Sequence, residues 1–372
     1  QGNLDGIPAT ELGGYAIRAA MQAAGINSVD EVIMGNVLPA GQGQAPARQA
    51  GFVAGLGEEV PATTLNKMCG SGMKTAMFGF DQIALARSEV LAVGGMESMS
   101  NAPFILPKMR SGARLGHSEV KDHMLCDGLE DAYDKGRLMG TFAEDCAEKY
   151  QFTREAQDEY AISSLSNAVA AEKNGAFENE IIGISVYSRE GVVVVDKDEQ
   201  PSKARPEKIP HLKPAFRKNG TVTPANSSSI SDGAAALILS SEEYARVNGL
   251  KIRAKIVGHS SHAQHPSWFA TAPIPAVQKL LNQIGWLKED VELWEVNEAF
   301  AVVPMAFMQD MRISREKINV HGGACSLGHP IGASGARIIV TLLNAMERYD
   351  LKRGVAAICI GGGEGTALAI ER

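Results

Sequence analysis

The sequence predicts an α/β fold made of two similar halves, with a third lobe inserted between them. At both ends of the chain, helical patterns alternate with short, apolar, strand-like runs. Between residues 100 and 230 strands become rare, while proline, glycine, methionine and charged residues become frequent. Two pairs of segments follow a similar order. Near the start of the chain, CGSGMKTAMFGF is followed by EVLAVGGMES, and near the end, GHPIGASGARIIV is followed by GVAAICIGGGEG. This similarity indicates a duplicated unit, with a site expected at the seam between the copies.

The first half is assigned to residues 1–99 and 231–250. Thr10 is a suitable N-cap for its first helix, and Gly25 a suitable end. Residues 1–9 cannot supply a strand, whereas an α/β sheet normally begins with one, so we expect the first strand to be missing from this half. The predicted elements are a helix at 10–25, strands at 31–36, 61–65 and 89–93, and a helix at about 70–86.

The inserted lobe is assigned to residues 100–230, with one clear helical region near 141–174. The second half, residues 251–372, returns to alternating helices and strands. Its predicted elements are strands at 251–259, 291–295, 354–360 and 366–371, and helices at 275–284 and 331–347.

Composition excludes several classes of function. Lys and Arg number 36 against 43 Asp and Glu, a net charge of −7, so the chain has no overall positive field for nucleic acid or an anionic membrane surface. No apolar run approaches the roughly 18 residues that a membrane span requires. The cysteines contain no C-x-x-C pair, which argues against a disulfide framework or a zinc ribbon and favours a reducing compartment, the cytoplasm. They are Cys69, Cys126, Cys146, Cys325 and Cys359.

Cys69 lies in NKMCGSGMKT, between a strand-like run and a predicted helix start. Unpaired backbone N–H groups and the positive end of the helix dipole favour a thiolate there, so we expect a lowered pKa and a nucleophilic cysteine. The alternative is a small buried apolar residue.

His329 precedes Pro330, which suits the first position of a helix. A neutral imidazole at that entrance can take a thiol proton and later donate an N–H to a developing oxyanion. A second set, His259, His262 and His265, has the spacing of metal ligands at first sight. Because positions i, i+3 and i+6 drift around a helix and no acidic or cysteine partner is near, we expect no metal site.

Cys359 ends an apolar strand and is followed by the glycine run 361–365, in which backbone N–H groups can approach a ligand closely. A dinucleotide-binding loop would have to open a helix, but the residues after it read as a strand.

Asn297 follows another strand directly, where its amide either fixes a water or caps a helix. Six basic residues between 203 and 218 either grip phosphates or form a solvated loop.

Five motifs in order across nearly the whole chain resemble those of the thiolase family, most closely its short-chain biosynthetic branch. They are NKMCGSGMKT, GGMESMSNAPF, NEAFA, GGACSLGHPIGASGAR and CIGGGEGTALAIER. The resemblance implies a thiolase-like α/β fold of two βαβαβαββ halves stacked in α-β-α-β-α layers with an inserted loop domain. It also implies a Claisen condensation of two acetyl-CoA molecules to acetoacetyl-CoA and CoA, and the reverse thiolysis, through an acetylated cysteine.

By resemblance, Cys69 matches the nucleophile and His329 the base that activates it. His329 also matches one donor to the enolate oxygen, and Asn297 holds the water that is the other donor. Cys359 matches the acid/base cysteine of the second half-reaction, and the N–H groups of Cys69 and Gly361 match the oxyanion hole of the tetrahedral intermediate.

Coenzyme A thioesters are the substrates that the resemblance implies, with no separate cofactor, no metal and a homotetramer of two tight dimers. Its CoA-contacting positions are Ser228, Ala225, Ser229, Phe216, Leu129, Met139, Ala299 and Phe300. The chain departs from the family in two places: the first strand with its Arg-Thr-Pro segment is missing, and Leu138-Met139 stands where some biosynthetic members have His-Met.

The sequence leaves three alternatives to a biosynthetic thiolase. A β-ketoacyl synthase also uses a cysteine at a helix start, but Cys359 before the glycine run favours a thiolase. A degradative thiolase would accept longer chains, which Met139 and Phe300 are expected to crowd. A non-catalytic CoA-binding protein would be expected to lack Cys69, His329 or Cys359, and all three are present.

Overall fold

The computed structural model describes residues 2–188 and 191–372. The first half contains, in chain order, α1 (Ala9–Ala24), β1 (Glu31–Gly35), α2 (Pro46–Ala54), β2 (Ala62–Leu65), α3 (Ser71–Ala84) and β3 (Val90–Ser98). The intervening lobe contains β4 (Phe104–Ile105), β5 (Lys121–Asp122), α4 (Met139–Tyr150), α5 (Arg154–Lys173), β6 (Ile184–Ser188), β7 (Gly191–Val195) and α6 (Glu199–Lys203). Then follow β8 (Asp232–Ser240) and α7 (Glu242–Val247).

The second half contains β9 (Lys255–Ala263), α8 (Pro273–Ile284), β10 (Leu293–Val296), α9 (Val302–Met311), α10 (Ala324–Leu327), α11 (Ile331–Arg348), β11 (Arg353–Ile360) and β12 (Glu364–Glu371). Short 3₁₀ turns connect several of these elements, and a π-helical turn covers Leu125–Leu129. None of the helices in the described ranges is long and apolar enough to cross a membrane.

The two four-stranded sheets share an arrangement of three adjacent strands, in which a parallel pair is followed by an antiparallel strand. In the first, with order β2-β1-β3-β8, β1 is parallel to β2 and β3, and β8 is antiparallel to β3. In the second, with order β10-β11-β12-β9, β10 is parallel to β11, and β12 is antiparallel to both of its neighbours. All nine residues of β3 are buried, as expected for a strand covered on both faces.

The helices complete five layers. The outer face of the first sheet is covered by α1 and α2, and the outer face of the second by α8 and by α9, whose Phe307 packs on Trp294 of β10. Between the sheets, α3 and α11 pack against each other and against strands of both sheets. This arrangement confirms the predicted α-β-α-β-α architecture.

Glycines let α3 and α11 cross at very short range. A Cβ atom on Gly72 would lie 2.6 Å from the backbone nitrogen of Ala336, and one on Gly335 would lie 2.3 Å from that of Met73. Both glycines lie near the start of their helices, so the crossing brings the two helix starts together. Cys69 precedes one start and His329 precedes the other.

The outer edge of β8 has no strand partner among the described residues, whereas β9 pairs with the equivalent edge of β12. A cavity of about 940 Å³ lies along β8, α1 and the start of β9. In the described ranges no strand precedes α1.

Several predicted boundaries are wrong. The first helix begins at Ala9, with Pro8 rather than Thr10 at its N-cap. The single helical region predicted near 141–174 is two helices, because Gln151 adopts a left-handed conformation (φ 57°) and ends α4. Thr153 then caps α5 by accepting the N–H of Ala156 at 3.1 Å.

Candidate active site

Cys69 lies in a tight turn between β2 and α3. Met68, immediately before it, has a left-handed backbone (φ 47°), which is uncommon for a non-glycine residue. Two side chains hold this turn. The side-chain oxygen of Asn66 accepts the N–H of Met68 at 2.8 Å. The Ser71 hydroxyl accepts the N–H of Lys67 at 2.8 Å and donates to the backbone carbonyl of Met68 at 2.6 Å. The turn therefore gives Cys69 a fixed position ahead of α3.

The electrostatics of Cys69 differ from the sequence prediction. Burial raises the pKa of its thiol to about 11, although the backbone N–H groups of Gly361 and of Cys69 itself act in the opposite direction. Gly70 is the N-cap of α3, so Cys69 stands outside the helix, and burial outweighs the donors. The expected lowered pKa is wrong. The resting thiol is protonated and needs a base.

His329 is buried just before α11, with Pro330 at the N-cap. Its Nδ1 lies 2.5 Å from the hydroxyl oxygen of Ser334. Its Nε2 is buried and has no hydrogen-bond partner among the described residues. Burial, with a smaller contribution from Arg337, lowers the pKa of His329 to about 3. The imidazole is therefore neutral, with one ring nitrogen left for chemistry.

Cys359 and Gly361 lie where β11 turns into β12. Burial raises the pKa of Cys359 well above its usual value, and the nearby Cys69 raises it further, so the two thiols are close enough to affect each other. Gly363 has a left-handed φ of 87°, and a Cβ there would lie 2.4 Å from the carbonyl oxygen of Gln264. Glycine is required at this turn for both reasons.

Asn297 follows β10, and its N–H donates to the carbonyl of Ala357 at 3.0 Å. Both polar atoms of its side chain are buried and have no partner in the described part of the chain. The capping interpretation is wrong, because α9 begins only at Val302 with Ala301 at its N-cap. A buried amide without a protein partner has the properties expected of a group that holds a water or a ligand.

The predicted pantetheine-contacting segment lies against the segment after Asn297. The N–H and the hydroxyl of Ser228 both donate to the carbonyl of Ala299 at 3.0 Å, and Ser227 forms a β-bridge with Phe300. Ser229 accepts the N–H of His329 on its carbonyl at 3.2 Å. Ala225 lies in the same segment, and its N–H points to the Thr223 hydroxyl at 3.3 Å.

Met139 and Phe300, predicted at the acyl end, and Phe216, another predicted CoA-contacting residue, lie in or against one apolar cluster. The rings of Phe216 and Phe300 meet edge to face at 5.9 Å. The sulfur of Met139 lies 3.5 Å from where a Cβ on Gly361 would be. All three side chains pack in the apolar cluster that contains Cys359. Leu129 packs against a different apolar cluster, which contains Val37 and Leu38 and also contacts Cys69.

Comparisons with known proteins agree with this geometry. Residues 1–243 match the thiolase N-terminal domain, and residues 250–372 match the thiolase C-terminal domain. The chain belongs to the thiolase family. It is 49% identical to a probable acetyl-CoA acetyltransferase of Dictyostelium discoideum, over 100% of this chain and 90% of that protein. It is 47% identical to an acetyl-CoA acetyltransferase of Pseudomonas aeruginosa, over 100% of this chain and 95% of that one. The crystal structure of the Bacillus anthracis acetyl-CoA acetyltransferase is similar, with a TM-score of 0.95 and 40% identity, covering 99% of this chain and 94% of that one.

The thiolase contains a buried carboxylate that sequence reasoning did not single out, Glu97 of GGMES. It accepts the N–H groups of Val37 at 3.0 Å, Leu38 at 3.0 Å and Gly332 at 2.9 Å, and the side-chain amide of Asn36 at 2.7 Å. Burial raises the pKa of Glu97 to about 7, against the effect of these donors. Glu97 thereby joins the loop after β1 to the first turn of α11.

A second network that sequence reasoning missed surrounds Glu298, which follows Asn297. Its carboxylate accepts hydrogen bonds from Tyr160 at 2.8 Å, Ser164 at 2.7 Å, Asn319 at 2.9 Å and the N–H of Cys325 at 3.1 Å. The network ties helix α5 of the lobe to the segments that carry Asn297 and His329. Its only signal in the sequence is the position of the glutamate inside the motif NEAFA.

Other residues noted in the sequence do not join the site. His259, His262 and His265 have separate neighbours, Asp81, Gln264 and Ser267. Within the described ranges no group of three or more His, Cys, Asp or Glu residues could hold a metal ion. In the basic segment, Arg217 pairs with Asp145 and Glu148, and Lys203 pairs with Glu199. These pairs favour the solvated-loop interpretation for the two basic residues concerned.

Proposed function

We propose that this thiolase is an acetyl-CoA acetyltransferase, which condenses two acetyl-CoA molecules to acetoacetyl-CoA and CoA and catalyses the reverse thiolysis. The observation that carries the proposal is the closeness of Cys69 and Cys359: a Cβ atom on Gly70 would lie 2.4 Å from Cδ1 of Ile360, and the backbone N–H of Gly361 is directed at Cys69. The names of the full-length relatives support the same substrate. One thiol suffices for simple acyl transfer, but condensation also needs a group that removes a carbon-bound proton.

In the first half-reaction His329 Nε2 takes the proton of the Cys69 thiol while the sulfur attacks the acetyl carbonyl. The N–H groups of Cys69 and Gly361 stabilise the oxyanion. The C–S bond to CoA then breaks, and Cys359 gives its proton to the departing CoA thiolate. Acetyl-Cys69, protonated His329 and the Cys359 thiolate remain. The high pKa of Cys69 and the low pKa of His329 mean that this proton moves only as the new C–S bond forms.

In the second half-reaction the Cys359 thiolate removes a proton from the methyl group of a second acetyl-CoA. The Nε2–H of His329 and a water held by the Asn297 amide stabilise the enolate oxygen. The enolate carbon attacks acetyl-Cys69, and the tetrahedral intermediate uses the same backbone donors as before. Collapse releases acetoacetyl-CoA and the Cys69 thiolate, which recovers its proton from His329. All protons balance over the cycle, and no metal or additional cofactor is needed.

Substrate binding is proposed to use the segment around Ser228 for the pantetheine arm and the side chains of Met139, Phe216 and Phe300 for the acyl end. The edge-to-face contact of the two phenylalanines and the closeness of Met139 to Gly361 support a short acyl pocket. A degradative thiolase of broader chain length is the second candidate, and it would require these side chains to move aside.

We also propose a homotetramer, a dimer of dimers, that works in the cytoplasm. Several large apolar side chains of the lobe are exposed, which supports burial against another subunit. They are Phe104, Leu106, Met109, Leu115 and Val120. The reaction needs both Cys69 and Cys359 in the reduced form, which favours a reducing compartment.

The test is to incubate the enzyme with ¹³C-labelled acetyl-CoA and locate the label by peptide mass spectrometry. We expect one acetyl group on Cys69 and, in solution, formation of acetoacetyl-CoA. C69A serves as the matched control and should form neither the acetylated cysteine nor acetoacetyl-CoA. A label found only on another cysteine would contradict the assignment, and labelled Cys69 without acetoacetyl-CoA would indicate an acyl carrier rather than a condensing enzyme.

A further inference from the structure

Ser334 lies near the start of α11, five residues after His329, and its side chain is buried. Its hydroxyl oxygen is 2.5 Å from His329 Nδ1 and 3.0 Å from the carbonyl oxygen of Pro330. One hydroxyl group therefore faces a ring nitrogen and a carbonyl at the same time.

We propose that Ser334 is a positioning residue that holds the proton of neutral His329 on Nδ1, so that Nε2 is the atom that accepts the proton of Cys69. This inference rests on the proposed function and deepens it. A histidine base can act only if the nitrogen facing its target carries a lone pair, and the partner of the other nitrogen decides which of the two this is.

The Ser334 hydroxyl has a single hydrogen, which it can donate to only one of its two neighbours, His329 Nδ1 or the Pro330 carbonyl. The carbonyl of Pro330 can only accept, so the Ser334 hydroxyl can donate to it and keep a lone pair free for an N–H on Nδ1. That carbonyl also accepts the N–H groups of Ala333 at 2.9 Å and Ser334 at 3.0 Å. It therefore does not require the hydroxyl, and geometry at Pro330 alone leaves both orientations open.

The surroundings of His329 Nε2 decide between the two orientations. If Ser334 donated to Nδ1, the proton of the neutral ring would be on Nε2, which is buried and has no acceptor among the described residues. A buried donor without an acceptor is costly and rare, whereas an unfilled acceptor is less so. With the proton on Nδ1, Nε2 becomes an acceptor, and the Cys69 thiol remains protonated at neutral pH because its pKa is about 11.

The same bond also serves the second role of His329. When Nε2 takes the thiol proton, both ring nitrogens carry hydrogen, and Nδ1–H keeps Ser334 as its acceptor. A hydrogen bond to a charged ring is stronger than one to a neutral ring. Ser334 therefore stabilises the imidazolium formed in the first half-reaction, and no rearrangement is needed before Nε2–H donates to the enolate oxygen.

The first experiment reads the tautomer without any turnover. The full-length enzyme is labelled with ¹⁵N-histidine, and the ring signals of His329 are assigned by their absence in H329N. We expect a protonated Nδ1 and an unprotonated Nε2 in the substrate-free wild type, and loss of this single pattern in S334A. A protonated Nε2 in the wild type would overturn the proposal and leave the acetyltransferase assignment untouched.

The second experiment is kinetic. S334A should lower kcat about 10- to 100-fold, the range expected for losing a hydrogen bond to a charged group, with KM nearly unchanged. S334T keeps the hydroxyl and should recover most of the turnover. The control is T341V, which removes a buried hydroxyl two turns further along α11 that donates to Glu180 and accepts from Arg337 instead of bonding His329. Wild-type turnover in S334A, or an equal loss in S334A and T341V, would contradict a specific effect on His329.

Discussion

The carboxylate of Glu97 accepts the backbone N–H of Gly332 at 2.9 Å. Through this bond a strand of the first half holds the first turn of the helix that follows His329. The helix has no side-chain cap of its own, since Pro330 occupies its N-cap. A carboxylate at a helix N-terminus satisfies an unpaired N–H group and interacts favourably with the helix dipole. His329, the proposed base in the second half, is thus positioned by a residue of the first half.

Glu97 is expected to make stability depend on pH. Its folded-state pKa of about 7 lies above the ordinary value of 4.5. As pH rises from 4.5 to 7, the unfolded chain releases this proton while the folded chain keeps it, so stability falls. The shift corresponds to about 3 kcal/mol. Urea unfolding of wild type and E97Q at pH 5 and pH 8, at one protein concentration, should show wild type losing more stability than E97Q. Equal losses of stability in wild type and E97Q would mean that the four hydrogen-bond donors fully offset the burial of the Glu97 charge.

Cys359→Ser should separate the two half-reactions. Serine cannot provide the acid and base that the second half-reaction needs, so turnover should fall about 10²- to 10⁴-fold. The Cys69 turn and its backbone donors are unchanged, so acetyl-Cys69 should still form. Intact-mass measurement after rapid mixing with acetyl-CoA, beside a steady-state assay, checks both parts. Wild-type turnover in C359S would exclude the proposed mechanism.

The sequence predicts the proposed catalytic groups but not the networks that hold them. Cys69 and His329 are recognisable because each is followed by the glycines or proline of a helix start, which is a local pattern. The contact of Glu298 with Tyr160 joins residues 138 positions apart and depends on how α5 packs, which no local pattern encodes. The pKa of Cys69 was predicted in the wrong direction for a similar reason. The helix dipole can be read from neighbouring residues, whereas burial depends on the whole fold.

The fold was predictable at the level of elements and layers. Alternating patterns predicted most strands of the two halves, although not β8, and the resemblance implied the five layers. Local boundaries were less accessible, because the break at Gln151 results from a left-handed residue that is not glycine. The pairing of β8 with β3 joins segments separated by the whole lobe, and it depends on tertiary packing.

Asn297→Ala should slow condensation much more than acetylation. The Asn297 amide is buried with no partner in the described ranges, and it is proposed to hold the water that stabilises the enolate. Loss of one oxyanion-hole donor typically costs about 10²- to 10³-fold in kcat. The first half-reaction uses the N–H groups of Cys69 and Gly361 and should be little affected. Stopped-flow acetylation and steady-state condensation should therefore diverge in N297A, and equal losses in both would argue for a general structural effect.

Met139→Ala should widen the range of acyl chains that the enzyme accepts. The Met139 sulfur lies 3.5 Å from the Cβ position of Gly361, so it occupies space beside the proposed acyl site. Forcing a longer chain against packed side chains costs roughly 1 to 3 kcal/mol, about a 5- to 150-fold preference for the short substrate. Wild-type kcat/KM should fall from acetoacetyl-CoA to 3-ketohexanoyl-CoA and 3-ketodecanoyl-CoA. In M139A this decline should be smaller, while M139L, which nearly conserves volume, should keep it. Equal or rising wild-type values along the series would place the enzyme with the degradative thiolases.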